Sequence, residues 1–439
     1  MRRSSLTDRD AWFELDDNAK FYPLIMTENT QSAFRLVVEL KESVDPRLLA
    51  KAADDVLDRF PSFKVRMRRG LFWHYYVRND APCKVDVDDG IVLKRIWETT
   101  NNHYLFRLSY SDKHINFEVF HVLCDGKASL EFIKTLLFRY FELCGKRMEV
   151  CDGILDYKSH ADPSEFEDSF KKNYKPAKIS DIQVGSYAGK QTAYTVSGTK
   201  PMKAGLGVIR LAIPFEQLHI LSRRYECSLT VFLSAVILNA IYNNKYHGKK
   251  LNKALLTFIP INMRPYFNSH TLRNFVTFSR AGIRKGDPVN EFSDFVRAVK
   301  RDLTADSRPE TVERNMNAAV NLQRIFLIRF MPLALKEFVI KYGKSVFATS
   351  KHTICLSNVG KCDLPAVLAP FVENLFFVLN PSPKLPVSVS ANTLRGVTNI
   401  VFSRCIVETQ LECEFVRLLN VLAKKQDLPL DIEVSSNHW

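Results

Sequence analysis

The sequence predicts an α/β or α+β chain in two similarly sized halves, and three observations carry that expectation. Strand-like and helix-like stretches mix along the whole length instead of segregating. A strand feeding directly into a helix opens the first half at FRLVVEL, Phe34 to Leu40, and the pattern starts again at GVIRLAIP, Gly207 to Pro214. The length of 439 residues exceeds one ordinary core at roughly 150 residues per domain, so two units are expected.

Each element follows from its local pattern. After FRLVVEL, the run Ser43 to Phe60 places apolar residues at helical spacing, with Asp45 as N-cap and Pro46 at the first helical position. SFKVRM, GLFWHYYV, NHYLFRLSY and HINFEVF then alternate or cluster β-branched and aromatic residues between turn signals, as strands of one sheet would. From Lys127 to Leu143 the apolar positions Leu130, Phe132, Ile133, Leu136, Leu137, Tyr140 and Phe141 return to a 3.6-residue period, so a helix begins directly after Gly126. Residues 151–205 are polar, lysine-rich and dotted with Gly, Pro and Ser, which marks a crossover linker between an N-terminal half, residues 1–150, and a C-terminal half, residues 206–439. In the second half the strand at Gly207 is followed by a helix from Phe215 and a more buried one after CSLT. Next come a strand from Ala254 to Met263, helical stretches from Asn290 to Ala305 and Thr311 to Lys344, four short strands (HTICLSN, NLFFVLN, LPVSVSA and TNIVFSR), and a closing helix from Glu408 to Lys425. No short-period repeat points to a solenoid.

Composition narrows the class of protein. With 46% hydrophobic and 25% charged residues a large core is available. MRRSSLTDRDAWFELDD carries no apolar run behind its arginines, so no secretory signal is expected. LTVFLSAVILNAIY, Leu229 to Tyr242, is too short for a membrane span and reads as a buried helix. Nine widely spread cysteines without a CxxC pair argue against a disulfide framework and a zinc site, and fit reduced thiols in the cytoplasm. A formal net charge of +14 favours anionic partners, among them cofactor phosphates, an acidic carrier protein and an anionic membrane surface. Phosphate-loop and dinucleotide fingerprints are absent, and the basic and aromatic run from Lys64 to Tyr76 fits strands better than nucleic-acid recognition.

The candidate chemistry sits in FEVFHVLCDGKASLEF, Phe117 to Phe132, where His121 ends a strand just before a helix. A histidine titrating near neutrality at such a junction is suited to take a proton from a hydroxyl or thiol. Asp125 either pairs with the imidazole or turns away to anchor the loop through an arginine, and Gly126 tolerates an unusual turn. Cys124 reads as a buried inert thiol, because side chains three apart across a turn need not meet.

FHVLCDG resembles the HHxxxDG signature of the CoA-dependent acyltransferase superfamily, which includes chloramphenicol acetyltransferases, plant alcohol acyltransferases, peptide-synthetase condensation domains and bacterial alcohol acetyltransferase-like proteins. His121 matches the second histidine, the general base of that family, and Phe120 stands in place of the first. IPINMRPYFNSHTLRNF resembles the family's strand with an N-x-R run and a later Asn, matched by Asn262, Arg264 and Asn274, although Asn274 follows Arg273 where the plant branch has glycine. TICLSNVGK resembles its late S-N-x-G strand, making Ser357 and Asn358 candidates for holding an oxyanion. These resemblances run from about Trp12 to Leu422, closest in character to the bacterial alcohol acetyltransferase-like branch.

The resemblance implies two chloramphenicol-acetyltransferase-like halves, each a mixed sheet with flanking helices, around a central tunnel. It implies acyl-CoA as co-substrate with no permanently bound cofactor or metal, and an alcohol, lipid or sugar-type acceptor that His121 deprotonates without a covalent acyl-enzyme. Asp125 becomes a structural anchor, and Arg59, Lys64 and Arg66, in the place of the condensation-domain arginine-rich motif, are candidates for its partner. The alternatives are a condensation-type enzyme using a carrier-protein thioester in trans, and a non-catalytic small-molecule-binding protein of the same fold.

Overall fold

A computed structural model of the protein describes residues 12–26, 31–96, 100–176, 192–202, 205–325, 329–343 and 351–437. Its strands in chain order are β1 (Trp12–Glu14), β2 (Ala33–Leu40), β3 (Val65–Arg69), β4 (His74–Arg78), β5 (Val85–Val87), β6 (Phe106–Ser111), β7 (His114–Phe120), β8 (Gly207–Pro214), β9 (Leu255–Asn262), β10 (Val276–Ile283), β11 (Ile354–Lys361), β12 (Val372–Leu379), β13 (Val387–Leu394), β14 (Val397–Arg404) and β15 (Glu433–Asn437). They form three sheets, ordered β12-β2-β7-β6-β5, β10-β9-β11-β13-β14-β8-β15, and β1-β4-β3. The two larger sheets are mixed: β5 runs parallel to β6, and β11 runs parallel to both β9 and β13.

The early strands therefore do not share one sheet as their sequence suggested. The β3–β4 hairpin leaves the others and pairs instead with β1 from the N-terminal segment. Strand β12 lies far along the second half in sequence, yet it pairs antiparallel with β2, placing Phe377 beside Leu36. The seam between the two larger sheets is polar. Asn392 on β13 donates to the Leu375 carbonyl at 2.8 Å, and Asn399 on β14 donates to Asn374 Oδ1 at 2.9 Å. Such bonds satisfy buried backbone groups that no ladder reaches.

Helices form where the sequence period demanded them. In Pro46–Leu57 the Asp45 carboxylate accepts from Arg47 N and Leu48 N at 2.9 and 3.2 Å. Helix Gly126–Leu143 drives Phe132 into the first core, where its ring stacks on Phe63 at 4.8 Å and on Phe117 at 5.0 Å. Helix Leu229–Tyr246 is buried on most of its surface and forms the spine of the second core, so it lacks an amphipathic stripe. Among the described residues no single helix is long and apolar enough to cross a membrane. The stretch expected to be helical from Thr311 to Lys344 is two helices, Pro309–Arg324 and Leu333–Gly343, the second starting directly after Pro332; residues 326–328 and Lys344 lie outside the described residues. Within residues 151–205, of which 177–191 and 203–204 are outside the described residues, there is a short helix, Ser169–Asn173.

Candidate active site

His121 is the first residue after β7, and both its neighbouring chain and its ring are fixed. Its backbone N–H donates to the Ser32 carbonyl at 2.7 Å, and its own carbonyl accepts from Asn274 Nδ2 at 2.9 Å. The Tyr22 ring stacks on the imidazole at 5.3 Å, and Phe34 lies 4.7 Å away, tilted by 50°. Nδ1 is buried without a hydrogen-bond partner. Burial lowers the imidazole pKa below its ordinary value, opposed by the nearby Asp125 carboxylate, so the ring is neutral at pH 7 and able to accept a proton.

The loop that follows is built around Asp125, which is buried. It caps helix Gly126–Leu143 by accepting from Ala128 N at 3.1 Å, accepts from Phe275 N at 3.0 Å, and forms a bidentate pair with Arg264 at 2.8 and 3.1 Å. Arg264 also donates to the carbonyls of Thr271 and Arg273, at 2.8 and 2.7 Å. One carboxylate thus serves as helix cap and as clamp between segments 139 residues apart.

This settles the partner that the sequence left open and corrects the candidates named for it. Arg59 is held by Glu165 at 2.5 and 2.7 Å, and Lys64 by Asp58 at 2.7 Å, so neither is available to Asp125; Arg66 sits on β3, in the separate sheet. Arg264, expected with the lining residues, is the clamp. Gly126 is not in a left-handed conformation, and a Cβ there would meet only Phe377 at 3.8 Å, so the unusual turn expected of it is absent. Cys124 is buried and its thiol pushed well above the ordinary range by desolvation. Phe120 is packed in the sheet opposite Ala33.

The other sequence candidates separate by role. Asn274 is buried, reaching from the His121 carbonyl to Asp16 Oδ2 at 3.3 Å. Asn262 accepts from Arg264 N at 3.1 Å and steadies the clamp. Asn358 is engaged on both sides, donating to Thr230 Oγ1 at 2.9 Å and accepting from Gly360 N at 2.9 Å. Ser357 lies on β11 opposite Ser390 of β13.

Sequence reasoning missed the N-terminal segment. Tyr22 covers the imidazole, and buried Asp16 accepts from Ala19 N at 2.7 Å while Arg273 approaches to 3.7 Å. Desolvation raises the Asp16 pKa to about 6 against the pull of Arg273. The signal available was the pair of acids in FELDDNAKFY, which short exposed segments rarely bury.

No family model matches the sequence, and no curated protein matches it. Solved structures do. Polyketide synthase associated protein 5 from Mycobacterium tuberculosis is 14% identical with a TM-score of 0.61, covering 94% of this chain and 98% of its own. TRI101 of F. graminearum, solved with coenzyme A and T-2 mycotoxin, is 11% identical with a TM-score of 0.61 over 96% and 99% of the two chains. The epimerization domain of the third module of tyrocidine synthetase B is 13% identical with a TM-score of 0.59 over 97% and 99%. The mixed sheets and the strand exchanged between them thus belong to a chain with the fold of polyketide synthase associated protein 5, TRI101 and the tyrocidine synthetase epimerization domain.

Proposed function

We propose that the protein is an acyltransferase that moves an acyl group from a CoA thioester to the hydroxyl of an alcohol, lipid or sugar-type acceptor. The observation that carries this reading is His121: a neutral imidazole at a strand end, its loop held by Arg264 through Asp125 and its carbonyl by Asn274. The fold adds support, since TRI101 was solved with coenzyme A and TRI3 of Fusarium sporotrichioides, 10% identical with a TM-score of 0.60 over 96% of each chain, is a trichothecene 15-O-acetyltransferase.

In this mechanism the imidazole takes the hydroxyl proton as the oxygen attacks the thioester carbonyl. The tetrahedral oxyanion collapses, the C–S bond breaks, and the CoA thiolate takes the proton back from the imidazolium, so no covalent acyl-enzyme forms. Ser357 is the assigned oxyanion donor, because the Asn358 amide is already bonded to Thr230. Asp125 and Arg264 are positioning residues. Donor and acceptor approach through a tunnel between the halves, and the nine unpaired thiols fit action in the reducing cytoplasm.

The test is thiol release from acetyl-CoA in the presence of a panel of alcohols. Wild-type protein is expected to release CoA and His121→Ala to lose at least about 10²-fold of that rate. Because the imidazole pKa is lowered, kcat/KM rises with pH to a plateau whose midpoint lies below 6.5. An unchanged rate in His121→Ala removes the base assignment. The epimerization domain and the nonribosomal peptide synthetase FmoA3 among the structural neighbours, together with the +14 charge, support a second reading with an acidic carrier protein as donor. Turnover of a carrier-bound thioester with none of acetyl-CoA selects it, and consumption of neither thioester leaves a binding protein of the same fold.

A further inference from the structure

A cavity of about 1100 Å³ lies between the N-terminal segment, the β3–β4 hairpin, helix Pro309–Arg324 and the residue pair Arg329 and Phe330, and no residue assigned a role in the mechanism above lines it. Trp12, Trp73 and Tyr75 form an aromatic wall, with the edge of the Trp12 ring meeting Tyr75 at 6.3 Å. The rim is apolar and open to solvent, with Trp12 56% exposed, Leu71 71% and Phe330 46%. Large apolar side chains gathered around a concave mouth mark a binding site more often than a bare surface.

The charges of the lining do not balance. Its two carboxylates are matched by its two ammonium groups: Glu14 is engaged by Lys171, and Asp17 by Lys20 at 3.1 Å. Two guanidinium groups then remain. Arg324 lies over the Tyr174 ring at 3.9 Å and Arg329 over the Phe330 ring at 5.4 Å, and among the described residues neither has a carboxylate partner. Stacking on a ring leaves the N–H edge of a guanidinium unused, and that edge is the part that grips a planar anion. The Lys336 ammonium, which does not line the cavity, sits 3.4 Å over the Trp73 ring and donates to the Phe72 carbonyl at 2.8 Å. It has no carboxylate partner among the described residues, and burial with repulsion from Lys20 lowers its pKa to about 8. Trp73 of the wall therefore carries an ammonium group close over its ring.

The geometry points to a binding site for an organic anion, its planar or acyl body lying against Trp12 and Trp73 and its carboxylate, phosphate or sulfate held by Arg324 and Arg329. His121 is not among the residues that line it. The segment between them contributes Asp17 and Lys20 to the cavity and Tyr22 to the imidazole. The proposal does not depend on the acyltransferase reading.

Isothermal titration of the full chain with 2-naphthoate, 2-naphthamide and inorganic phosphate tests it, since the three probes separate body from charge. 2-Naphthoate is expected to bind at least tenfold more tightly than either of the others. In Arg324→Gln/Arg329→Gln that preference should collapse to the 2-naphthamide value while 2-naphthamide binding is unchanged. Should loss of the Tyr174 contact disturb folding, judged by near-ultraviolet circular dichroism, Arg329→Gln alone is expected to lower the preference at least threefold. Equal affinity for 2-naphthoate and 2-naphthamide, or an unaltered preference in the folded arginine variants, overturns the assignment. His121→Ala should bind 2-naphthoate as the wild type does, so loss of thioester turnover without loss of binding reports on the reaction centre and not on this cavity.

Discussion

The molecule builds the same junction twice. Strand β7 reaches helix Gly126–Leu143 through residues 121–125, and β14 reaches helix Gln410–Lys424 through residues 405–409, a loop of equal length. In the first, the acid before the helix caps it and is clamped by Arg264 from the other half. In the second, Thr409 gives no side-chain cap, and Glu408 turns outward to accept from Thr199 N and Oγ1 at 2.8 and 2.6 Å. Where the first loop begins with a neutral imidazole, the second begins with Cys405, whose thiol burial pushes upward. Length and connectivity alone therefore do not make a reactive junction. What distinguishes the first is a buried charge pair that ties its loop to a segment 139 residues away.

Breaking that pair should give the largest effect. Arg264→Ala leaves Asp125 buried with its two backbone donors and no counter-charge, and removal of one partner of a buried pair costs about 3–5 kcal/mol. Denaturant unfolding should show that loss, and thioester turnover should fall with it. A variant that keeps full stability would mean that the Asp125 loop stands without its clamp.

The two junctions also differ in how much of each was legible in the sequence. Asp45 as a cap, the helix after Gly126 and the buried run Leu229 to Tyr242 were all readable, because capping and periodicity are set within a few residues. Partner choice was not. Nothing in DRFPSFKVRM revealed that Arg59 belongs to Glu165, or in NMRPYF that Arg264 belongs to Asp125, since each pairing spans more than a hundred residues. The same limit hid the passage of β12 into the first sheet, as its alternation fits either edge. Strand β10 escaped because the polar residues in VTFSRAGI weaken an alternation that its pairing with β9 restores. Tyr22 was missed because a ring lying over another residue's imidazole leaves no mark in local pattern.

The next expected effect is a gain. Asp16 is bonded to Asn274, which holds the His121 carbonyl, and burial raises its pKa to about 6. The folded state therefore binds this proton more tightly than the unfolded state, and stability falls as pH rises from about 4 to about 6. Asp16→Asn removes the buried charge, and its amide can meet Asn274 Oδ1, which is otherwise unpaired. It should add about 1–3 kcal/mol at pH 7.5 and nothing below pH 4, as measured by urea midpoints at the two pH values. Equal gains at both would assign the effect to packing instead. At the second junction the corresponding change is small: Glu408→Ala gives up partly exposed bonds to Thr199 and should cost under about 1 kcal/mol, with faster limited proteolysis beside Thr199 as its clearer sign.

Gly126→Ala should be the mildest change and the sharpest probe of what the first junction is for. Gly126 opens the helix without a left-handed backbone, and the added methyl would sit 3.8 Å from Phe377, an ordinary contact. Replacing glycine by alanine at a compatible position narrows the unfolded ensemble and typically adds about 0.4–1 kcal/mol. The urea midpoint should therefore hold or rise slightly, and a fall of more than about 1 kcal/mol would contradict the backbone geometry. Because the fold makes no demand for glycine here, a loss of thioester turnover at unchanged stability would have to come from the methyl meeting a substrate beside His121. The same substitution in a chain whose glycine served only the turn would lower stability and turnover together.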